Sequence, residues 1–233
     1  MKNVVVSWSS GKDSTLTLLR LQESADYHVV GLFTTYVDKE VPFQATPLEV
    51  VEMQAQLLGL PLIKIALPEV FPSNPVYQAL IVDGLSASGL DIDAVAFGDM
   101  FCNGIAEYRR SYIEPAGWEC VLPLLGEKPN KLAQEIITRG IRTLVVTIDG
   151  HTLTSQYCGR WYNEAFVTSL PAGIDPCGEN GEFHTLVIWA PGFRGRIELT
   201  LTSVLCGERF CHQRYLASIC LDGQELPNPE EGV

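Results

Sequence analysis

Short apolar strands alternate with apolar or amphipathic helices through the first half of this chain, which leaves it few ways to fold. Residues 4–8 form a β-branched run, a Ser/Gly turn follows, and residues 14–21 carry Leu16, Leu18, Leu19 and Leu21 at positions suited to a buried helix. The pattern repeats with a strand at 28–34, a helix at 47–58 stopped by Gly59 and Pro61, a strand at 62–67, a helix at 76–86 and a strand at 94–98. Strands that alternate with helices at this spacing pair in parallel. The expected fold class is therefore α/β, with a doubly wound, mostly parallel sheet covered on both faces.

Helices are expected next at 105–116 and 131–139, and strands at 120–124 and 143–148. From Leu170 the texture changes to Gly/Pro-punctuated extended runs at 185–190, 196–204 and 214–221, which should pair antiparallel. The expected organisation is a first domain over 1–125 and a smaller C-terminal α+β domain over 126–233, with 228–233 as a polar tail that frays.

Composition removes several classes of function. The chain has 233 residues, 46% of them hydrophobic, enough to bury a real core. Sixteen Lys and Arg against 28 Asp and Glu leave a net charge of −12, which repels polyanions and argues against bulk nucleic-acid binding. The opening MKNVVVSW is too short an apolar run for a signal peptide, and no later run approaches the roughly 18–20 apolar residues that span a bilayer. A soluble cytoplasmic protein with no membrane contact is expected. Seven cysteines without a CxxC pair suggest reduced thiols, several packed as small hydrophobes, rather than structural zinc.

The most informative segment is Ser7-Trp8-Ser9-Ser10-Gly11-Lys12-Asp13-Ser14, between the first strand and the first helix. A helix N-terminus at the carboxyl end of a parallel strand offers unpaired amides and partial positive charge to an anion. Small residues let the backbone close around phosphate oxygens. Ser9, Ser10 and Ser14 add hydroxyls, Lys12 neutralises charge, and Asp13 is suited to Mg2+ or a water on it. A Ser-capped helix start without a ligand is the plainer alternative. The Walker A pattern fails, because Val6 stands where its first glycine belongs and Asp13 follows the lysine. The dinucleotide fingerprint fails as well, with one glycine in the turn instead of three.

This turn resembles the PP-loop signature S-G-G-K-D-S of ATP pyrophosphatases, with Ser10 in place of a glycine. That group includes GMP synthetase, asparagine synthetase, argininosuccinate synthetase and RNA-thiolating enzymes. The resemblance implies ATP as substrate, release of pyrophosphate and an adenylated intermediate. Ala96-Phe97-Gly98-Asp99, then Glu107-Tyr108-Arg109-Arg110 with Glu114, and Asp175-Pro176-Cys177-Gly178-Glu179-Asn180-Gly181-Glu182-Phe183-His184-Thr185-Leu186-Val187 extend the similarity over nearly the whole chain. Together these segments resemble the diphthine-ammonia ligase family, also described as adenine nucleotide α-hydrolase-like. Membership implies that a carboxylate is adenylated and that ammonia displaces AMP. Members acting on elongation factor 2 usually carry G-E-G-G-E-[YF]-E-T in the last motif. Here Asn180 replaces a glycine and His184 a glutamate, a form similar to the bacterial-type variant, which leaves the acceptor open between a small molecule and a protein carboxylate.

The candidate site follows. Ser9, Ser10, Gly11, Lys12, Asp13, Ser14, Gly98, Arg109 and Arg110 are expected to bind nucleotide, and Asp13 and Asp99 to hold Mg2+. Lys12, Asp13, Asp99, Glu179, Glu182 and His184 are the expected catalytic set. Glu107, Arg110 and Glu114 share a helix face and equally suit a surface ion-pair ladder, while Arg109 or Arg110 suits a phosphate or carboxylate clamp. Cys177 borders the acidic motif without a visible activating partner. His28 and His151 are expected to be structural or solvated, and Trp161 and Tyr162 to be packing residues. Two other functions fit the same turn: an ATP-binding regulator without turnover and an RNA-thiolating enzyme. A homodimer through the edge of the C-terminal strands is compatible with the pattern.

Overall fold

The computed structural model describes residues 1–101 and 103–221, so Cys102 and the 228–233 tail lie outside the described residues. Five parallel strands, β1 (Lys2–Ser7), β2 (Tyr27–Tyr36), β5 (Leu62–Ala66), β6 (Ala94–Ala96) and β7 (Glu119–Val121), form a sheet of order β5-β2-β1-β6-β7. The connecting helices are α1 (Lys12–Glu23), α2 (Leu48–Leu58), α3 (Asn74–Ser86) and α4 (Ile105–Ile113), and a short hairpin of β3 (Glu40–Val41) and β4 (Thr46–Pro47) interrupts the β2-to-α2 crossover. The second half contributes α5 (Pro129–Thr138), β8 (Arg142–Asp149), α6 (Glu164–Ser169), β9 (Phe183–Trp189), β10 (Arg196–Cys206) and β11 (Phe210–Cys220), with an antiparallel sheet ordered β10-β11-β8-β9.

Strand β1 is central, and its period-2 alternation feeds two cores. Val4 and Val6 pack with Leu18 and Leu21 of α1, whereas Val5 packs with Phe33, Ile81 and Tyr112 on the opposite face. Helix α1 is buried nearly all round because it lies between the two sheets: Leu18 and Leu21 face the parallel sheet, while Leu16 and Leu19 join a cluster with Val145, Ile148, Phe183 and Val187 of β8 and β9. One helix thus belongs to both cores, which docks the acidic C-terminal motif against the first turn of α1.

Some boundaries differ from expectation. Helix α4 stops at Ile113 instead of 116, because the chain turns at Gly117 (φ 93°) and Trp118 N closes back on Ile113 O. The β3–β4 hairpin and α6 carried no clear period; α6 is started by Asn163, whose side chain accepts from Phe166 N at 2.8 Å. Cys206 and Cys211, opposite each other in the β10–β11 register, form a disulfide, which corrects the expectation of reduced thiols throughout. Among the described residues no helix is long and apolar enough to cross a membrane.

Candidate active site

The sheet order places a topological switch between β1 and β6, where crossovers leave in opposite directions and a crevice opens. A cleft of about 280 Å³ lies there, with walls from Ser7, Ser9, Asp13 and Ser14 after β1, from Phe97, Gly98 and Asp99 after β6, and from Arg109, Glu179 and His184. An adjoining chamber of about 130 Å³ shares Asp13, Gln44, Glu179 and His184 with it and is lined further by Lys12, Cys177 and Thr185. Two motifs from opposite ends of the sequence therefore face one space.

Ser10, which replaces the glycine of the resembled signature, adopts φ 73°, a left-handed conformation costing about 1 kcal/mol for a residue with a Cβ. It is completely buried and held from three sides. Its carbonyl accepts from Gln54 Nε2 (3.1 Å) and Val187 N (3.0 Å), and its hydroxyl reaches Gln44 Oε1 (3.0 Å) and Thr46 Oγ1 (3.2 Å). The hydroxyl expected to meet phosphate is thus committed to the protein. Ser9 and Ser14, 3.2 Å apart at their hydroxyls, line the cleft as expected. Gly98 is tightly placed: a Cβ there would sit 3.2 Å from Asp13 O and Thr17 Oγ1, where β6 ends against the start of α1, so a larger residue would push those groups aside by a few tenths of an ångström.

Lys12 is buried. Its Nζ donates to Asp13 Oδ2 (2.8 Å) and to Cys177 O, and lies 5.8 and 5.5 Å from the ring centroids of Tyr162 and Phe183. Although burial opposes its charge, Asp13 prevails and its pKa rises above the ordinary lysine value. Lys12 N donates to Thr185 Oγ1 of β9 (3.1 Å), so the C-terminal motif clasps the loop from behind. Asp13 Oδ1 is buried with no protein partner, which suits a cation or its bound water.

Asp99 lines the cleft, but both its oxygens accept from Arg109 (2.9 and 3.3 Å), whose guanidinium also stacks 4.4 Å from the Phe97 centroid and donates to Tyr112 Oη. The expected metal role of Asp99 competes with this fork. Arg110 pairs loosely with Glu114 at 3.6 Å, one rung of the expected ladder, and does not line the cleft. Replacing Arg109 with Leu should destabilise the protein by about 2 kcal/mol by urea unfolding, allowing for the partial exposure of the pair. Asp99→Asn in the same chain should recover much of that loss.

Glu182, expected to be catalytic, is bonded within its own loop. Its carboxylate accepts from Asp175 N (3.1 Å), Asn180 N (2.9 Å) and Asn180 Nδ2 (3.0 Å), and it lines neither cavity. Glu179 and His184 do face the cleft. Burial, reinforced by the negative charge of Asp13, pushes the Glu179 carboxyl up to about 8, and burial, reinforced by Lys12, lowers His184 to about 4, so its imidazole is neutral at physiological pH. Cys177 is buried and its thiol is raised by burial to about 12, the opposite of an activated nucleophile. His28 and His151 are exposed, and Tyr162 is a packing residue whose Oη donates to Pro176 O (2.7 Å), all as expected.

Glu179 makes the pH dependence testable. The folded chain holds this proton up to about pH 8, whereas the unfolded chain releases it near the ordinary carboxylate value. In between, the native state binds more protons, so this contribution to stability is lost as pH rises through the window. Thermal melts of wild type and Glu179→Gln from about pH 5 to pH 8 should diverge, the wild type falling relative to the variant. Parallel curves would refute the shift.

The sheet order, the loop at the switch point and the helix N-terminus opening onto the cleft define a doubly wound α/β protein with an anion-binding type of turn at its switch point. The profile of the diphthamide synthase N-terminal domain matches residues 1–120 and that of the diphthamide synthase C-terminal domain matches residues 128–216; the chain belongs to the diphthamide synthase family. A Schizosaccharomyces pombe protein named diphthine--ammonia ligase is 23% identical over 217 residues, an alignment covering 82% of this chain and 35% of the relative. The chain thus spans about a third of the length of that relative. A structure described as a predicted subunit of tRNA methyltransferase from Methanocaldococcus jannaschii aligns with TM-score 0.42 and 18% identity, over 64% of this chain and 78% of that one.

Two participants in the site were not singled out from the sequence. Gln54 of α2, fully buried, donates to Ser10 O and to Val187 O (2.6 Å) and accepts from Trp8 Nε1 (2.8 Å), tying the loop to both sheets. Its spacing from Val50, Val51, Leu57 and Leu58 puts it on the buried face of α2, a signal available from helical periodicity. Gln44 lies in the hairpin turn, where no period marks it.

Proposed function

We propose that this protein is an ATP-dependent, AMP- and pyrophosphate-forming ligase that adenylates a carboxylate and amidates it with ammonia. The observation that carries this reading is the convergence of the Ser9–Ser14 turn and the Glu179–His184 turn on one cleft at the switch point of the sheet. The N-terminus of α1 and the hydroxyls of Ser9 and Ser14 bind the phosphates, and Lys12 supplies a fixed positive charge just behind them. Mg2+ bound with ATP would be held by Asp13, whose Oδ1 lacks a protein partner, and would neutralise phosphate charge.

In the first step an acceptor carboxylate oxygen attacks the α-phosphorus, the bond to the β-phosphate oxygen breaks, and pyrophosphate leaves. In the second, ammonia attacks the acyl carbon, the bond from that carbon to the AMP phosphate oxygen breaks, AMP leaves, and the proton lost by the nitrogen passes to the leaving phosphate or to water. Glu179, when ionised, accepts a proton from ammonium at the cleft, and neutral His184 donates or accepts a hydrogen bond without adding charge. The remaining catalysis is positioning. The acceptor is a carboxylate of the diphthine kind or a small-molecule acid, and Asn180 and His184 are where this chain departs from the motif of enzymes acting on elongation factor 2.

The test supplies 15N-ammonium, ATP and Mg2+ with diphthine-bearing elongation factor 2 in one arm and a fractionated metabolite pool in the other. Incorporation of 15N into an amide, dependent on ATP, is the expected result in one arm. Incorporation without ATP consumption, or AMP release that ammonium never affects, would overturn the amidation step.

A further inference from the structure

The segment between β2 and α2 gathers most of the left-handed non-glycine residues among those described. Of five non-glycine residues with left-handed φ among the described residues, four are Asp38 (47°), Lys39 (71°), Phe43 (67°) and Ala45 (49°). Such conformations cost about 1 kcal/mol or more each and persist only where the surroundings over-determine them. Here Ala45 N bonds to Val41 O, Leu48 N to Lys39 O, and Thr147 Oγ1 donates to Gln44 O at 3.0 Å, while Val41 and Thr46 are buried. The strained turn is anchored to both sheets, and its tip, Val41 to Gln44, forms a wall of the cleft.

Gln44 is the polar group on that tip. Ser10 Oγ donates to its Oε1 at 3.0 Å, which orients the carboxamide and turns the NH2 group the other way. A Cβ built on Gly11 would lie 3.2 Å from Gln44 Nε2, so the amide donor lies alongside the phosphate-type loop. Nε2 has no acceptor among the described residues, although the side chain lines both the cleft and the inner chamber. This side chain thus lines the cavity with its oxygen fixed by Ser10 and its donor beside the N-terminus of α1.

We propose that Gln44 is a nucleotide-binding residue whose Nε2 donates to a phosphate oxygen of ATP held at the Ser9–Ser14 turn. The inference rests on the ATP-binding reading above. It makes the strained hairpin the third wall of the phosphate site, and it explains why Ser10 is a serine: its hydroxyl aims the amide.

The test measures binding of Mg2+-ATP and, separately, of adenosine to the full chain by calorimetry, for wild type, Gln44→Glu and Gln44→Ala. The glutamate variant keeps an oxygen for Ser10 to donate to while replacing the donor with an anionic oxygen, and the alanine variant removes the group without adding charge. Both variants should weaken ATP at least about tenfold, Gln44→Glu the more, and leave adenosine within about twofold of wild type. ATP binding within twofold of wild type, or equal weakening of ATP and adenosine, would overturn the assignment. A wild type that binds no ATP would overturn the nucleotide reading together with it, whereas normal wild-type binding with unaffected variants sinks Gln44 alone.

Discussion

Lys12→Met is expected to abolish turnover and to lower the melting temperature together. The Lys12 side chain is only 3% exposed, and its ammonium is the one cation bonded to Asp13 and to the Cys177 carbonyl among the described residues. Methionine fills the volume but leaves a half-buried carboxylate and a buried carbonyl without a partner. Removing one member of a buried pair costs about 3–5 kcal/mol, and in a chain of this length that lowers Tm by roughly 10 °C. Catalysis should suffer more, because a fixed charge next to a phosphate-binding turn stabilises the transition state by electrostatics, and losing one such group costs at least about a hundredfold in rate. Differential scanning calorimetry and an AMP-release assay on the same preparation separate the two. Normal stability with lost activity would show that Asp13 finds another partner, and retained activity would remove Lys12 from the mechanism.

Gln54→Leu is expected to be the most damaging substitution outside the cleft. The side chain matches in size, so the effect comes from polar groups left behind: the Trp8 Nε1–H and the Val187 carbonyl lose their partners, and Ser10 O keeps only Val187 N. Each orphaned buried group costs about 1–3 kcal/mol, so a total near 4 kcal/mol is expected from urea unfolding. Ser10 also loses one of the contacts that hold its left-handed conformation, so the loop should bind nucleotide more weakly even where the protein is folded. A loss below about 1 kcal/mol would mean that water or a shifted backbone satisfies these groups.

Much of the fold was legible because its signals are local. β-Branched runs, Gly/Pro stops and the Leu spacing of α1 announce each crossover, and the parallel sheet follows from the alternation. The Ser9–Ser14 turn and the 175–187 motif were visible as strings, and the structure brings Asp13, Ser14, Glu179 and His184 to one cleft. What the string did not reveal is which polar atoms are already committed. Glu182 reads like a catalytic acid, but the turn between Gly178 (φ 73°) and Gly181 (φ 83°) folds its carboxylate onto the loop's own amides. Ser10 reads like a phosphate ligand, but its left-handed φ turns the hydroxyl toward Gln44. Cys206 and Cys211 become partners only once a hairpin places them in register. Only the Ser10 contact spans distant sequence; the Glu182 and cysteine pairings are local, but they follow from backbone conformation and strand register, which no hydrophobic period encodes.

The proposed function requires the Ser9–Ser14 turn to direct cleavage of ATP between its α- and β-phosphates. The direct test incubates the full chain with Mg2+, ATP labelled at the α-phosphate, ammonium and a pool of carboxylate acceptors, then separates labelled AMP from ADP. The expected result is AMP with matching pyrophosphate, lost in Asp13→Ala. Labelled ADP as the sole product would show that cleavage falls between the β- and γ-phosphates and that no adenylate forms.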